Sequence, residues 1–174
     1  MRPVLLFLIA LAFGSAVAAE SPDPATSGLT PLVLPGHALH PSLATPQVDE
    51  TTIRHVSHRV IQSNPQLSTQ PEFIAAIARS GSQGKLSAEG VRSALYALYR
   101  GDKELGFYGL EAASAADADR LEASIRGIWA HNASIDRAKV HRGGLVLVVV
   151  WTDGVSPEVW AAVNATVSTR LAAP

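Results

Sequence analysis

Histidine supplies the most suggestive chemistry in this chain. His37 and His40 form one HxxH pair, and His55 and His58 form another. Imidazole nitrogens bind transition metals where two or more converge, and residues three apart on a helix are neighbours. On a helical wheel His55 and His58 lie opposite Ile53, Val56 and Val60, so both imidazoles face solvent. Joined by His37 and His40, they make four nitrogen ligands for copper, zinc or nickel. The plainer reading is two histidines on a solvated helix face and two more in a loop, with no cysteine or acidic ligand attached.

Carboxylates offer a second chemistry. Asp49, Glu72, Glu89, Asp117, Asp119 and Glu158 stand at expected helix starts, where the helix dipole accounts for them. Asp102, Asp136 and Asp153 read as turn residues. Glu111 lies well inside an expected strand and Glu104 just precedes it. Across a sheet from His141, Glu111 makes an acid/base pair, the basis for a small cell-envelope hydrolase using Glu104, Glu111 or His141. The commoner outcome of such a placement is an ordinary surface pair between strands.

Several activities lack their residues. There is no GxSxG elbow for a nucleophilic serine, and Ser82 reads as a loop residue. Gly84 to Glu89 echoes the end of an EF-hand loop. With Gly84 as its sixth residue, however, the ligand positions hold Arg79, Gly81, Gln83 and Gly90, so calcium is excluded. Gly84-Lys85 lacks Walker spacing. With no cysteine in 174 residues, disulfides, thiol catalysis and cysteine metal sites are excluded.

The elements that must position these groups follow from periodicity and punctuation. Residues 20–48 hold six of the eleven prolines and no regular pattern, which predicts a Pro-rich flexible tether. Leu32-Val33-Leu34 is the patch of it able to dock on the body. A single α+β domain is expected over 49–174. It has helices at 50–62, 71–80, 87–100, 114–131 and 156–171, and strands at 105–112, 137–141 and 145–151. Val91, Leu95, Leu98 and Tyr99 fall at helical spacing behind a Ser87 cap. Gly143-Gly144 makes the last two strands antiparallel neighbours, and the helix before them is a right-handed crossover. The strand 145–151, apolar on both faces, belongs between the other two. The expected fold is therefore a three-helix N-terminal half packed with a split β-α-β-β-α sheet, half of a ferredoxin-like arrangement. The three early helices are expected to cover the sheet face that the later helices leave open. A sharper alternative leaves part of that face, rimmed by Arg137, Lys139 and His141, to receive a partner, with Trp160 on the last helix beside it.

Composition bounds the function. Residues 1–19 read as a cleavable signal peptide: Arg2, an apolar run from Val4 to Phe13, then small residues at Ala16-Val17-Ala18-Ala19. The run is short of the ~20 residues a membrane span needs. Removing Arg2 takes the formal net charge from -1 to -2, against the clustered positive charge that nucleic-acid binding requires. These features point to a periplasmic or secreted, non-enzymatic binding or accessory protein. It would act on a cell-envelope protein or peptide as an inhibitor or immunity-type factor. The four-histidine metal protein and the small hydrolase are the alternatives. N-terminal sequencing of the protein recovered from an exporting bacterial host should read from Ala19 or Glu20. A first residue of Met1 would remove the signal peptide from the account.

Overall fold

Glycine and proline punctuation divides the chain much as its pattern suggests, but the packing differs. The computed structural model describes residues 26–48, 56, 60–131 and 135–173. In chain order it contains a helical turn α1 (Gly36–Leu39), strand β1 (Gln66–Ser68), helix α2 (Pro71–Gly81), strands β2 (Val91–Arg100) and β3 (Glu104–Ala112), helix α3 (Ala115–Ala130), strands β4 (Ala138–Gly143) and β5 (Val146–Thr152), and helix α4 (Pro157–Ala172). The strands form one sheet in the order β1-β2-β3-β5-β4, antiparallel at every pairing. The class is mixed helix and sheet. β5 lies between β3 and β4, joined to β4 by a turn in which Gly144 takes a φ of +57°.

Local caps account for the helix starts. Ser114 accepts a hydrogen bond from the Asp117 N–H at 3.1 Å to open α3. Ser156 does the same for the Val159 N–H at 3.3 Å, and Pro157 occupies the first turn of α4. Pro71 opens α2 in the same position. In each case a group that cannot or need not bond within the helix sits where free N–H groups need a partner.

The expected helix 87–100 is instead the longest strand, β2. Ala94, Tyr96 and Leu98 pack into one hydrophobic cluster, while Leu95, Ala97 and Tyr99 pack into the other. A strand buried on both faces shows a nearly unbroken apolar run, which satisfies helical spacing as readily as strand spacing. Ser87 caps no helix; its hydroxyl accepts from the Glu89 N–H at 3.1 Å in a turn that leads to Gly90, at φ +73°. The expected helix 50–62 lies mostly outside the described residues, and residues 60–65 within it and beyond are not helical. The three-helix N-terminal half is therefore not present among the described residues.

The helices also divide between the faces. α2 and α3 cover one face through Phe73, Ile74, Ile77, Leu121 and Ile125. α4 covers the other through Val159, Val163 and Val167, together with Leu29, Leu32, Leu39 and Leu43. Residues 26–48 are thus part of the core, not a flexible tether. The expected patch at Leu32 docks, but Val33 within it is 39% exposed. The segment is received at Gly109, where a Cβ would come within 2.7 Å of Leu29 Cδ2. An isolated bridge between Ala44 and Arg100 pairs its far end to the sheet. Tyr99 donates its hydroxyl to the Leu34 carbonyl at 2.9 Å.

This packing gives a direct test. Leu32→Ala should lower unfolding stability by about 2–5 kcal/mol, as for other buried leucines. The neighbouring Val33→Ala should cost less, about 1 kcal/mol, because that residue stays 39% exposed and the change removes only two partly solvated methyl groups. Chemical denaturation of both variants decides the matter, and equally small losses would detach the segment from the core.

Candidate functional site

On α4, Trp160, Asn164 and Ser168 recur every fourth residue, one position past the buried valine stripe. That spacing stacks them along one flank of the helix, and the flank faces β4. His141 on β4 sits opposite Val148 of β5 and is 7% exposed. Its Nε2 lies 2.6 Å from Asn164 Oδ1, and its Nδ1 lies 3.1 Å from Ser168 Oγ. Asn164 Nδ2 donates to the Trp160 carbonyl at 2.8 Å, which turns Oδ1 toward the imidazole. A carbonyl oxygen can only accept, so Nε2 carries the proton and Nδ1 is the acceptor for the Ser168 hydroxyl. Burial holds the imidazole pKa below its ordinary 6.5, against the bond to Asn164, and Lys139 and Arg126 push in the same downward direction. His141 is therefore a neutral base with one nitrogen directed at an exposed hydroxyl.

A cleft of about 390 Å³ opens beside this relay, lined by Lys139, Trp160, Ala161, Asn164, Ala165 and Ser168. Its lining holds one cation, Lys139, and no acid. Arg142 pairs with Asp119 at 2.6 Å and Glu122 at 2.7 Å, and Arg126 pairs with Glu122 at 2.8 Å. Lys139, by contrast, has no ion-pair partner among the described residues. Of the four residues expected to bind, Lys139 and Trp160 line this cleft and His141 stands behind it. Arg137 does not join them. It lines a separate cleft of about 240 Å³ with Tyr108, Trp129, Trp151 and Asp153.

Glu111 and His141 do not face each other. β5 separates their strands, and each takes other partners. Glu111 is 2% exposed, and four donors saturate it. Oε1 accepts from the Gly28 N–H at 2.9 Å and from Arg92. Oε2 accepts from the hydroxyls of Ser27 and Ser93, each at 2.7 Å. Burial raises the carboxyl pKa, but Arg92, Ser27, Gly28 and Ser93 together outweigh it and hold the group at about 2. With both oxygens occupied, Glu111 has no lone pair to spare for a substrate; it pins residues 27 and 28 to the sheet. Glu104 lies at the opposite end of β3, paired with Arg100 at 2.8 Å.

The histidine cluster is not assembled among the described residues, which hold no group of three or more side chains able to share a metal. His37 is exposed on α1, and His40 Nδ1 is engaged by Ser42 Oγ at 2.8 Å. His55 and His58 lie outside the described residues. The sequence reading missed Asn164 and Ser168, although their fourfold spacing from Trp160 was a usable signal. In comparison with known proteins, the chain matches no family model, no curated protein and no solved structure.

The Glu111 anchor makes a pH-dependent prediction. Its folded pKa lies below its unfolded value, so between pH 4.5 and about 2 the unfolded chain binds more protons than the native one. The stability it contributes is complete above pH 4.5 and is lost as the pH falls through that window. Glu111→Gln should cost about 2 kcal/mol or more at neutral pH, the penalty for disturbing a buried charged hydrogen-bond set. It should also flatten the acid limb of stability against pH. Denaturation midpoints measured from pH 7 to 2 check both, and an acid limb identical to wild type would mean that Glu111 is not the group responsible.

Proposed function

We propose that this is an exported protein, periplasmic or secreted, that binds a cell-envelope protein or peptide as an accessory factor of inhibitor or immunity type. Export is supported by residues 1–19 of the sequence. The site is the cleft between β4 and α4, and the observation that carries the reading is Lys139. It is a cation without an ion pair among the described residues, set beside an indole and the small side chains Ala161 and Ala165. Arg126 and Arg142, which do not line the cleft, are neutralised by Glu122 and Asp119 on α3. A lysine on an edge strand also discourages pairing with other chains, but that role is indifferent to the cleft beside it.

Such a cleft suits an acidic segment. A carboxylate would meet the Lys139 ammonium while an adjoining apolar side chain lies against Trp160, which is half-buried and presents both a flat surface and a polar edge. Lys139→Glu reverses the charge at a solvent-facing position and should leave folding intact. Against an array of Asp/Glu-rich peptides and their Asn/Gln counterparts, wild-type protein should prefer the acidic members. Lys139→Glu should weaken that binding by about tenfold or more, equivalent to roughly 1.4 kcal/mol. Calorimetric titration that finds equal affinity for both proteins would remove the cleft from the binding function.

A further inference from the structure

Ser168, His141 and Asn164 form more than a satisfied buried histidine. We infer that they are the nucleophile, general base and positioning residue of an acyl-ester hydrolase site in the β4–α4 cleft, an inference that rests on the cleft receiving a ligand. The hydroxyl is exposed, lies 3.1 Å from a ring nitrogen that the Asn164 contact leaves as an acceptor, and opens into the cleft. The base is in turn held at 2.6 Å by an amide oxygen that cannot rotate away without losing the Asn164 bond to the Trp160 carbonyl. A hydroxyl in hydrogen-bond reach of a base, with the base oriented by a third group, is the geometry that nucleophilic catalysis needs. Burial keeps the imidazole in the neutral form able to take a proton.

The reaction balances with water alone. Ser168 Oγ bonds to the ester carbonyl carbon as its proton passes to His141 Nδ1. Collapse of the tetrahedral intermediate breaks the bond to the alkoxy oxygen, which leaves as an alcohol with the proton from Nδ1. Water then adds to the acyl-serine and gives a proton to Nδ1. The bond from the acyl carbon to Oγ breaks, Oγ regains the proton and the acid departs. Backbone N–H groups around Ser168 are committed to α4, so the oxyanion has no backbone hole there. Lys139, lining the same cleft, is the cation that would stabilise it. Ala161, Ala165 and Trp160 leave apolar room for a small acyl group, so short-chain acyl esters are the substrate class.

The first probe is a fluorophosphonate, followed by turnover of p-nitrophenyl butyrate by the full mature chain. Mass mapping should place the label on Ser168. Ser168→Ala, an exposed change that keeps the helix, should lose the label and reduce turnover by roughly 100-fold or more, the lower range of general-base catalysis. Asn164→Asp should retain turnover and move the acid limb of the rate profile upward, because a carboxylate on Nε2 stabilises the imidazolium against the opposing fields of Lys139 and Arg126. Asn164→Ala should lower kcat more than it raises KM. No label at Ser168 in folded protein, or turnover unchanged in Ser168→Ala, overturns the inference. Small esters do not require the acidic contact. Labelling without acidic-peptide binding would therefore keep this site and discard the peptide reading, and binding without labelling would do the reverse.

Discussion

Strands β2, β3 and β5 lie side by side and are apolar on both faces, and a sheet with two apolar faces must find two covers. Their side chains alternate between two hydrophobic clusters, so neither face can be left to water without exposing leucines, valines and aromatics together. At roughly 25 cal/mol for each square ångström of apolar surface removed from water, covering both faces is the dominant favourable term. α2 and α3 supply one cover. α4 alone is too narrow for the other, and the leucines of residues 29–43 fill what it leaves. The docking of that proline-rich segment is thus a consequence of how β2 and β3 are composed.

Hydrophobic burial does not choose the register of an irregular segment, and here a charge does. Glu111 is the acid placed inward on β3, and the carboxylate would be costly there without donors. Ser93 and Arg92 come from the neighbouring strand, while Ser27 and the Gly28 N–H come from the docking segment. Gly28 is tightly confined: a Cβ there would meet Val146 Cγ2 at 2.8 Å and Glu111 Oε1 at 3.1 Å. The carboxylate therefore acts as a fixed peg that holds residues 27 and 28, and the leucines that follow fall into their places.

The cleft at β4 arises from the same economy of cover. α4 turns its valine stripe into the sheet, which leaves the adjoining Trp160–Asn164–Ser168 flank over the outermost strand, where the layer ends. A histidine buried at that margin must satisfy two nitrogens, and the helix flank supplies an acceptor for one and a donor for the other. The polar relay and the apolar-floored cleft thus come from one geometrical fact, a helix whose buried stripe is narrower than its contact with the sheet.

Much of this was legible in the chain. Ser114, Ser156 with Pro157, and Pro71 mark helix starts by local hydrogen bonding, and Gly143-Gly144 marks a turn by its φ requirement. Such signals are satisfied within a few residues and need no tertiary partner. The interior place of β5, between β3 and β4, was legible too, because an apolar run of strand length has no solvent face, although β3 and not β5 is the middle strand of the five. The same logic failed at β2, where the apolar run from Ala94 to Tyr99 fits a helix and a doubly buried strand equally. Pairing with β3 decided between them, and pairing is a contact between segments. Proline density in 20–48 predicts no regular pattern, and among the described residues the segment holds only short helical turns such as α1 and a single bridge. It says nothing about burial, since such a segment can pack once a carboxylate and a leucine-shaped hollow wait for it. Glu111, His141, Lys139 and Trp160 could be singled out as residue types. Tertiary packing alone decided that Glu111 would be saturated and structural while His141 would meet Asn164 and Ser168, because hydrogen-bond partners separated by tens of residues are chosen by the fold's geometry and not by their spacing.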